Sequence, residues 1–257
     1  MKSSRQDRFV PLITLSQHEL PVLMYHRLVI QDPDYTKFDL HVTVEDFKRQ
    51  LLWLKGWGFT PVTFGDLLEK PVPPKPIVIT FDDGYEDNYQ NLLPLLREQQ
   101  VRVVMYLLGD RSLRRNEWDI PKGEPMVPLL TDAQALEMAE SGWVEFGAHS
   151  MTHDRLTEIT PDQIRFQVEE SKKSLERLLG KPVLSFAYPY GSVNEAVKQA
   201  TQKAGYAFGI AVGTGPTHFS ADLMEVRRVP MLPQTTRWEY WKKTSGWYLR
   251  YLKIFSS

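Results

Sequence analysis

The chain has 257 residues, 42% of them hydrophobic and 25% charged, so it is long and apolar enough for a sizeable core, and disorder as its main state is excluded. Lysine and arginine number 31 against 32 acidic residues, which leaves no overall charge signal for nucleic acid or for an acidic partner. Cysteine is absent, so disulfides, thiolate ligands and a cysteine nucleophile are excluded, and a metal would need His, Asp or Glu.

The N-terminal segment MKSSRQDRFVPLITLSQHELP predicts no secretory signal, because Arg5, Asp7 and Arg8 are followed only by a broken apolar run. The chain contains no stretch of about 18 uninterrupted apolar residues, so no membrane span is predicted. From the sequence alone we therefore expect a soluble, cytoplasmic protein.

Short apolar runs rich in Val, Ile and Phe alternate with longer amphipathic stretches, a pattern typical of a parallel sheet covered by crossover helices. In chain order, strands are predicted at 22–28, 60–63, 77–81, 101–108, 144–148, 184–187, 206–212 and 226–231. Helices are predicted at 44–57, 88–99, 132–141, 161–179 and 194–204. The fold class is therefore α/β, and eight candidate strands suggest a barrel.

Residues 70–76 (KPVPPKP) contain four prolines in seven positions, so they are neither a helix interior nor a central strand. The segment could link two domains, but a strand follows at once and the first 70 residues are too few for a core of their own. We expect a rigid connection inside a single domain that spans residues 1–257.

The first chemical motif, TFDDG at 80–84, follows an apolar strand, and the ends of parallel strands are where ligands bind. Side chains of Asp82 and Asp83 would point to opposite faces of a strand, but Gly84 permits a sharp turn that could bring both into one pocket. Taken alone, the motif is more typical of a solvated turn.

The second motif, HSMTH at 149–153, also follows an apolar strand. If the loop turns helically, His149 and His153 share one face at a spacing that suits a divalent metal. Two surface histidines are the alternative. Because Ser150 stands where zinc proteases of the HExxH type carry glutamate, a general base must come from elsewhere, and the Asp-Asp pair could supply both that base and a third ligand.

The third motif, FAYPYG at 186–191, ends another strand. Pro189 restricts the backbone and Gly191 allows a tight turn that could leave an amide facing a ligand, although a purely structural turn fits equally. Since all three motifs end predicted strands, one end of the sheet would collect them.

With these motifs in order, the chain resembles the polysaccharide deacetylase family, carbohydrate esterase family 4, with its NodB homology domain. The likeness covers roughly residues 20–232. The family's first two motifs match 80–84 and 149–153, and its third is similar to 187–190 (AYPY). The resemblance implies a distorted (β/α) barrel.

The resemblance also implies the roles of individual residues. Asp83, His149 and His153 would hold a divalent metal, usually zinc, with Co²⁺ or Ni²⁺ as alternatives. Asp82 would be the catalytic base, and the backbone amide of Tyr190 would help to form the oxyanion hole.

Two family features are missing. Ala187 occupies the position of the arginine that usually supports the catalytic aspartate, and the late Leu-x-x-His motif of the catalytic acid is absent, since the last histidine is His218.

A permuted branch of the family, which deacetylates poly-β-1,6-N-acetylglucosamine, is similar at the missing positions. Its acid comes from an early Tyr-His pair, which VLMYH at 22–26 resembles, so His26 is the candidate acid. Residues 222–229 (DLMEVRRV) look like its late arginine strand, which makes Arg228 the candidate replacement for the missing arginine. Alternatively, His26 is a core histidine satisfied by backbone and Arg228 is a surface charge.

The tail at 237–257 holds five Lys or Arg against one acid. It also holds seven aromatic side chains: Trp238, Tyr240, Trp241, Trp247, Tyr248, Tyr251 and Phe255. Such a stretch could contact a membrane surface or stack on sugars, but we favour a terminal helix packed on the domain.

These observations together predict a metal-dependent hydrolase that removes N-acetyl groups from a β-linked N-acetylglucosamine polysaccharide or glycoconjugate, with no nucleic-acid partner. An O-acetyl carbohydrate esterase and a catalytically silent carbohydrate-binding protein are the alternatives. Measuring bound metal distinguishes the silent binding protein from the two enzymes. The resembled family mostly acts outside the cytoplasm, which conflicts with the cytoplasmic location predicted from the N-terminus.

Overall fold

The computed structural model describes residues 20–33, 38–69, 71–216 and 218–245. The strands of this part of the chain are β1 (Val22–Tyr25), β2 (Arg27–Val29), β3 (His41–Thr43), β4 (Thr60–Pro61), β5 (Pro76–Phe81), β6 (Val103–Leu107), β7 (Val144–Ala148), β8 (Ser185–Ala187), β9 (Phe208–Val212) and β10 (Val226–Pro230). Its α-helices are α1 (Val44–Gly56), α2 (Phe64–Glu69), α3 (Leu93–Gln99), α4 (Asp132–Glu140), α5 (Pro161–Leu179), α6 (Glu195–Lys203) and α7 (Arg237–Thr244).

Seven parallel strands close into a barrel in the order β1, β10, β9, β8, β7, β6, β5. Closure comes from β1, which pairs with β10 on one side and with β5 on the other. The expected (β/α) barrel is therefore confirmed, with seven strands in the ring. The eighth predicted strand, 60–63, is only the short β4, which pairs with Pro76 and Ile77 at the start of β5. Because β1 pairs with the rest of β5, β4 remains outside the ring.

Most predicted elements agree with the structure to within two residues, but the predicted strand at 22–28 is wrong as one element. It is interrupted at His26, where the chain leaves the barrel, and β2 pairs instead with β3 in a separate two-stranded sheet. The apolar pattern continues through the break because Leu28 and Val29 are buried in this second sheet. The short elements β3 and α2 were not predicted.

The predicted helix at 88–99 is also divided. Residues Asn88–Leu92 form a π-turn, and α3 begins at Leu93. Pro94 lies in the first turn of α3. Because proline has no backbone N–H, it cannot donate the hydrogen bond that would extend α3 towards the N-terminus. By contrast, α5 has the predicted bounds, with Thr160 as its N-cap and Gly180 in a left-handed C-cap.

Alternate residues of the strands pack into two different cores. Ile79 and Phe81 belong to the larger cluster that includes α1, α3, α4 and α5, whereas Val78, Val104 and Val226 belong to a second cluster. This second cluster contains the residues of the opposite pleat, which point into the barrel. Thr80, Asp82 and Arg228 continue that inward series, so the strand pleat aims them into the carboxyl-terminal end of the barrel.

The aromatic C-terminal segment forms a packed helix where it is described. Tyr240 of α7 is fully buried against Trp53 of α1 and against Trp57, which directly follows that helix, as the favoured interpretation of the tail requires. The tail residues Trp247, Tyr248, Tyr251 and Phe255, like the N-terminal residues 1–19, lie outside the described residues. Among the described helices, none combines the length and apolar character that crossing a bilayer would require.

Candidate active site

The Asp-Asp motif occupies a sharp turn directly after β5. Asp83 and Gly84 adopt successive left-handed conformations, with φ of 71° and 69°. A Cβ atom at Gly84 would lie 2.3 Å from Cδ2 of Leu107, so the turn requires glycine. Asp82 and Asp83 are 2% and 3% exposed and line the same cavity. The solvated-turn alternative is therefore wrong, and the strained conformation of Asp83 is of the kind found at functional sites.

The His-x-x-x-His loop is not a helical turn, so the helical geometry considered for it is wrong. Ser150 and His153 have positive φ values of 62° and 66°, and this backbone path brings the two imidazoles together with centroids 4.9 Å apart. Both histidines are buried, which excludes the surface alternative.

Gln167 of α5 holds this loop in place and is not among the residues predicted from the sequence. Its side-chain oxygen accepts hydrogen bonds from the backbone N–H groups of Met151 and Thr152, and its amide donates to the side chains of Thr152 and Asp154. The available signal was a polar residue on the buried face of an amphipathic helix, since Gln167 lies between the buried Ile164 and Val168.

Asp83, His149 and His153 form a three-residue cluster whose candidate ligand atoms lie within 4.8 Å of one another. Oδ1 of Asp83 is 3.4 Å from Nε2 of His149 and 3.2 Å from Nε2 of His153. This oxygen is buried and accepts no hydrogen bond from any residue that the structure describes. Ligands bound tetrahedrally at about 2.0–2.2 Å would lie roughly 3.4 Å apart, so the orphaned oxygen and the two nitrogens fit one divalent metal ion.

The protonation states of the cluster favour metal binding. Nδ1 of His149 donates to the backbone carbonyl of Ala187 at 2.7 Å, which leaves Nε2 unprotonated and facing Asp83. Burial lowers the pKa of His149 to about 4, so its ring is neutral near neutral pH. Burial raises the pKa of Asp83, but the neighbouring His153 and His149 outweigh this effect and hold it well below its usual range.

Arg228 forms a buried bidentate ion pair with Asp82. Its Nη1 and Nη2 atoms donate to the two carboxylate oxygens at 2.6 and 2.8 Å, and Nη1 also donates to the hydroxyl of Thr80. The guanidinium carbon lies 5.4 Å from the ring centroid of Tyr106. Arg228 is 1% exposed, so the surface-charge alternative is wrong.

This ion pair sets the charge of Asp82. Burial raises the pKa of the Asp82 carboxyl, but the Arg228 guanidinium beside it, together with the nearby His149 and His26, lowers the pKa by more, and the net value lies below the usual range. Asp82 is therefore a carboxylate at neutral pH, able to accept a proton. Ala187, at the usual arginine position, lies in the cluster that fills the barrel, and its small side chain occupies little of that interior.

His26 lies at the break between β1 and β2 and lines the same cavity as both aspartates. Its backbone carbonyl accepts a hydrogen bond from Asn88, whereas its ring makes no hydrogen bond to any described residue. The core-histidine alternative is therefore wrong for the side chain, which is partly exposed and available to a bound molecule.

Tyr190 lies in the Pro189–Gly191 turn with a φ of 57° and contributes to the cavity wall. Its ring meets that of His153 edge-on at 4.5 Å. Lys122 Nζ and the Arg155 guanidinium carbon lie 4.0 and 4.3 Å from its ring centroid. Lys122 also donates to the Tyr190 hydroxyl, so two cations and a candidate metal ligand hold this residue in place.

Residues 109–131, between β6 and α4, supply neighbours of the site that were not predicted from the sequence. Trp118 stacks on His153 with ring centroids 4.7 Å apart, and Asp119 pairs with Lys122 at 2.9 Å. No local pattern marked Trp118 and Asp119, because they lie about ten residues beyond the end of the predicted strand at 101–108. The cavity that they border has a volume of about 310 Å³, and its apolar wall includes Met24, Leu40 and Val212.

Comparison with known proteins agrees with this geometry. The family model for polysaccharide deacetylases matches residues 69–209, more than half of the chain. The chain belongs to the polysaccharide deacetylase family. This membership confirms the resemblance drawn from the three motifs.

Individual relatives extend the match. A Bacillus subtilis protein named as a polysaccharide deacetylase, YxkH, is 28% identical over 220 residues, which cover 84% of this chain and 72% of that protein. Poly-β-1,6-N-acetyl-D-glucosamine N-deacetylase of Staphylococcus epidermidis is 24% identical over 231 residues, covering 80% of this chain and 77% of the relative. The structure of Streptococcus pyogenes deacetylase PplD in complex with acetate has a TM-score of 0.74 at 23% identity, covering 88% and 98% of the two chains, and this likeness shows the fold.

Proposed function

We propose that the protein is a metal-dependent hydrolase that removes N-acetyl groups from a β-linked N-acetylglucosamine polysaccharide or glycoconjugate. The proposal rests on one observation: a candidate metal site and a buried ion pair lie side by side in one cavity. The triad of Asp83, His149 and His153 fits a divalent metal, and the adjacent Asp82 is ionised and oriented by Arg228. A metal site beside a carboxylate base is an arrangement that supports amide hydrolysis by an activated water molecule.

The three ligand side chains would hold zinc, with cobalt or nickel as alternatives, because one carboxylate and two imidazoles leave coordination positions open. A divalent cation bound there would polarise the acetyl carbonyl and increase the acidity of the attacking water. Asp82 accepts the proton of this water, and Arg228 keeps the carboxylate in the orientation needed to receive it. The backbone N–H of Tyr190 donates to the oxygen that becomes negative in the transition state.

His26 is proposed as the acid that donates a proton to the departing nitrogen. An amine leaves poorly as an anion, so amide cleavage needs a proton donor at this position more than ester cleavage does. The ring of His26 lines the cavity and makes no hydrogen bond to a described side chain, which suits this role. This need for an acid, together with the name of the Staphylococcus epidermidis relative, supports an N-acetyl rather than an O-acetyl substrate.

The test is acetate release from N-acetylglucosamine oligomers with β-1,6 and β-1,4 linkages, assayed side by side with an O-acetylated glycan. We expect acetate and free amines from the β-1,6 oligomers, loss of activity with a chelator and recovery on addition of zinc. Release from the O-acetylated glycan alone would identify an esterase. A protein that binds oligomers, retains no metal and releases no acetate would be a silent binding protein, and the proposal would be wrong.

A further inference from the structure

The C-terminal helix α7 is anchored to the barrel along one side. Tyr240 is completely buried, with its ring centroid 5.7 Å from that of Trp53 and 6.1 Å from that of Trp57. At the start of the helix, Thr236 and Glu239 form a capping box, which satisfies backbone N–H groups of the first turn. The helix is thus held firmly, and its other side is presented outward.

Two tryptophans occupy the outward side of α7. Trp238 and Trp241 are 62% and 40% exposed, and their rings stack with centroids 4.9 Å apart and an angle of 11°. Side chains three positions apart are neighbours on a helix surface, so this indole pair (Trp238 and Trp241) forms one exposed apolar patch. Contiguous apolar patches of this kind mark sites of interaction.

The surroundings of the indole pair are cationic. Arg237 is exposed, and Nζ of Lys242 lies 5.8 Å from the ring centroid of Trp238. Glu239 keeps its negative charge and accepts hydrogen bonds from the backbone N–H and the hydroxyl of Thr236, but Arg237, Lys242 and Lys243 of the same helix outnumber it. Lys243 turns away and donates to the backbone carbonyl of Pro230. The patch therefore combines two indoles with two outward cations.

We propose that the indole pair, with Arg237 and Lys242, docks onto an anionic lipid surface. Indole rings favour the boundary between headgroups and acyl chains, and lysine and arginine are attracted to anionic headgroups. Residues 246–257 continue the same composition, with four aromatic residues, Arg250, Lys253 and no acid. The two indole rings stack on each other on the convex surface of a helix. This arrangement suits contact with a lipid interface better than stacking against the flat face of a sugar ring.

Sedimentation with lipid vesicles tests the proposal on the full chain. We expect binding to vesicles of equal parts phosphatidylglycerol and phosphatidylcholine, weaker binding at about 0.5 M salt, and little binding to phosphatidylcholine alone. Trp238→Ser with Trp241→Ser should lower the partition coefficient more than about tenfold. Arg237→Gln with Lys242→Gln should lower it roughly 20- to 30-fold, since each cation near an anionic surface contributes about fivefold.

The matched control is Phe166→Ser, which removes an aromatic side chain that is 54% exposed on α5 and should leave vesicle binding unchanged. Thermal unfolding close to that of the wild type verifies that each variant is folded. The proposal is overturned if the wild type does not bind anionic vesicles, or if both double variants bind them as strongly as the wild type does. Loss of binding to an insoluble N-acetylated glycan, rather than to vesicles, in the tryptophan variant would also overturn it.

Discussion

Replacing Arg228 by methionine tests whether the buried pair with Asp82 is maintained for chemistry rather than for stability. Methionine keeps much of the side-chain volume but leaves the carboxylate of Asp82, which is 2% exposed, without its two donors at 2.6 and 2.8 Å. Breaking a buried ion pair by removing one partner costs about 3–5 kcal/mol. For a chain of this length each kcal/mol corresponds to about 2–4 °C, so Tm should fall by roughly 10 °C.

The second variant removes both charges, as Asp82→Leu with Arg228→Met. Apolar side chains of similar volume often replace a buried ion pair at little or no cost, so this double variant should recover most of the lost stability. It should release no acetate, because the proposed base is gone. Recovered stability without activity would show that the fold does not need the pair but the reaction does.

Urea unfolding of the metal-free proteins provides the measurement, so that differences in metal occupancy do not enter the free energies. The two single variants, Asp82→Leu and Arg228→Met, complete the double-mutant cycle. If the effects of the two single variants add up in the double variant, or if Arg228→Met costs less than about 1 kcal/mol, the pair is not energetically coupled and the reasoning is refuted.

Three further predictions concern the site itself. Asp82→Asn should keep the metal and lose most turnover, whereas the adjacent Asp83→Asn should lose both metal and turnover. Metal analysis combined with an acetate-release assay distinguishes the two variants. Near-normal activity of Asp82→Asn would mean that another base operates. His26→Ala should slow amide hydrolysis far more than hydrolysis of activated aryl acetates, whose leaving groups need no proton; equal slowing would contradict its role as the acid. Gln167→Leu should weaken metal affinity about 10- to 100-fold by loosening the histidine loop, as measured by competition with a chelator, and unchanged affinity would show that the loop holds itself.

The sequence alone determined the local features of this protein. The alternation of apolar runs and amphipathic stretches indicated an α/β barrel, because strand and helix periods depend on neighbouring residues only. The same holds for the ends of α5, where Thr160 and Gly180 act through backbone groups within one turn. The motifs with Asp82, Asp83 and the two histidines could be assigned to strand ends because each follows a short apolar run, and parallel strands place such ends on one side.

Only the tertiary structure decided how these pieces meet. Closure of the ring by β1, pairing with β5 and β10 at once, determines that seven strands form the barrel and that β4 stays outside. Closure also brings Arg228 of β10 across the barrel interior to Asp82, although their strands are not neighbours. Gln167 reaches the histidine loop, and Trp118 reaches His153, from separate segments. Such contacts depend on pairings between residues far apart in the chain, which no local period encodes.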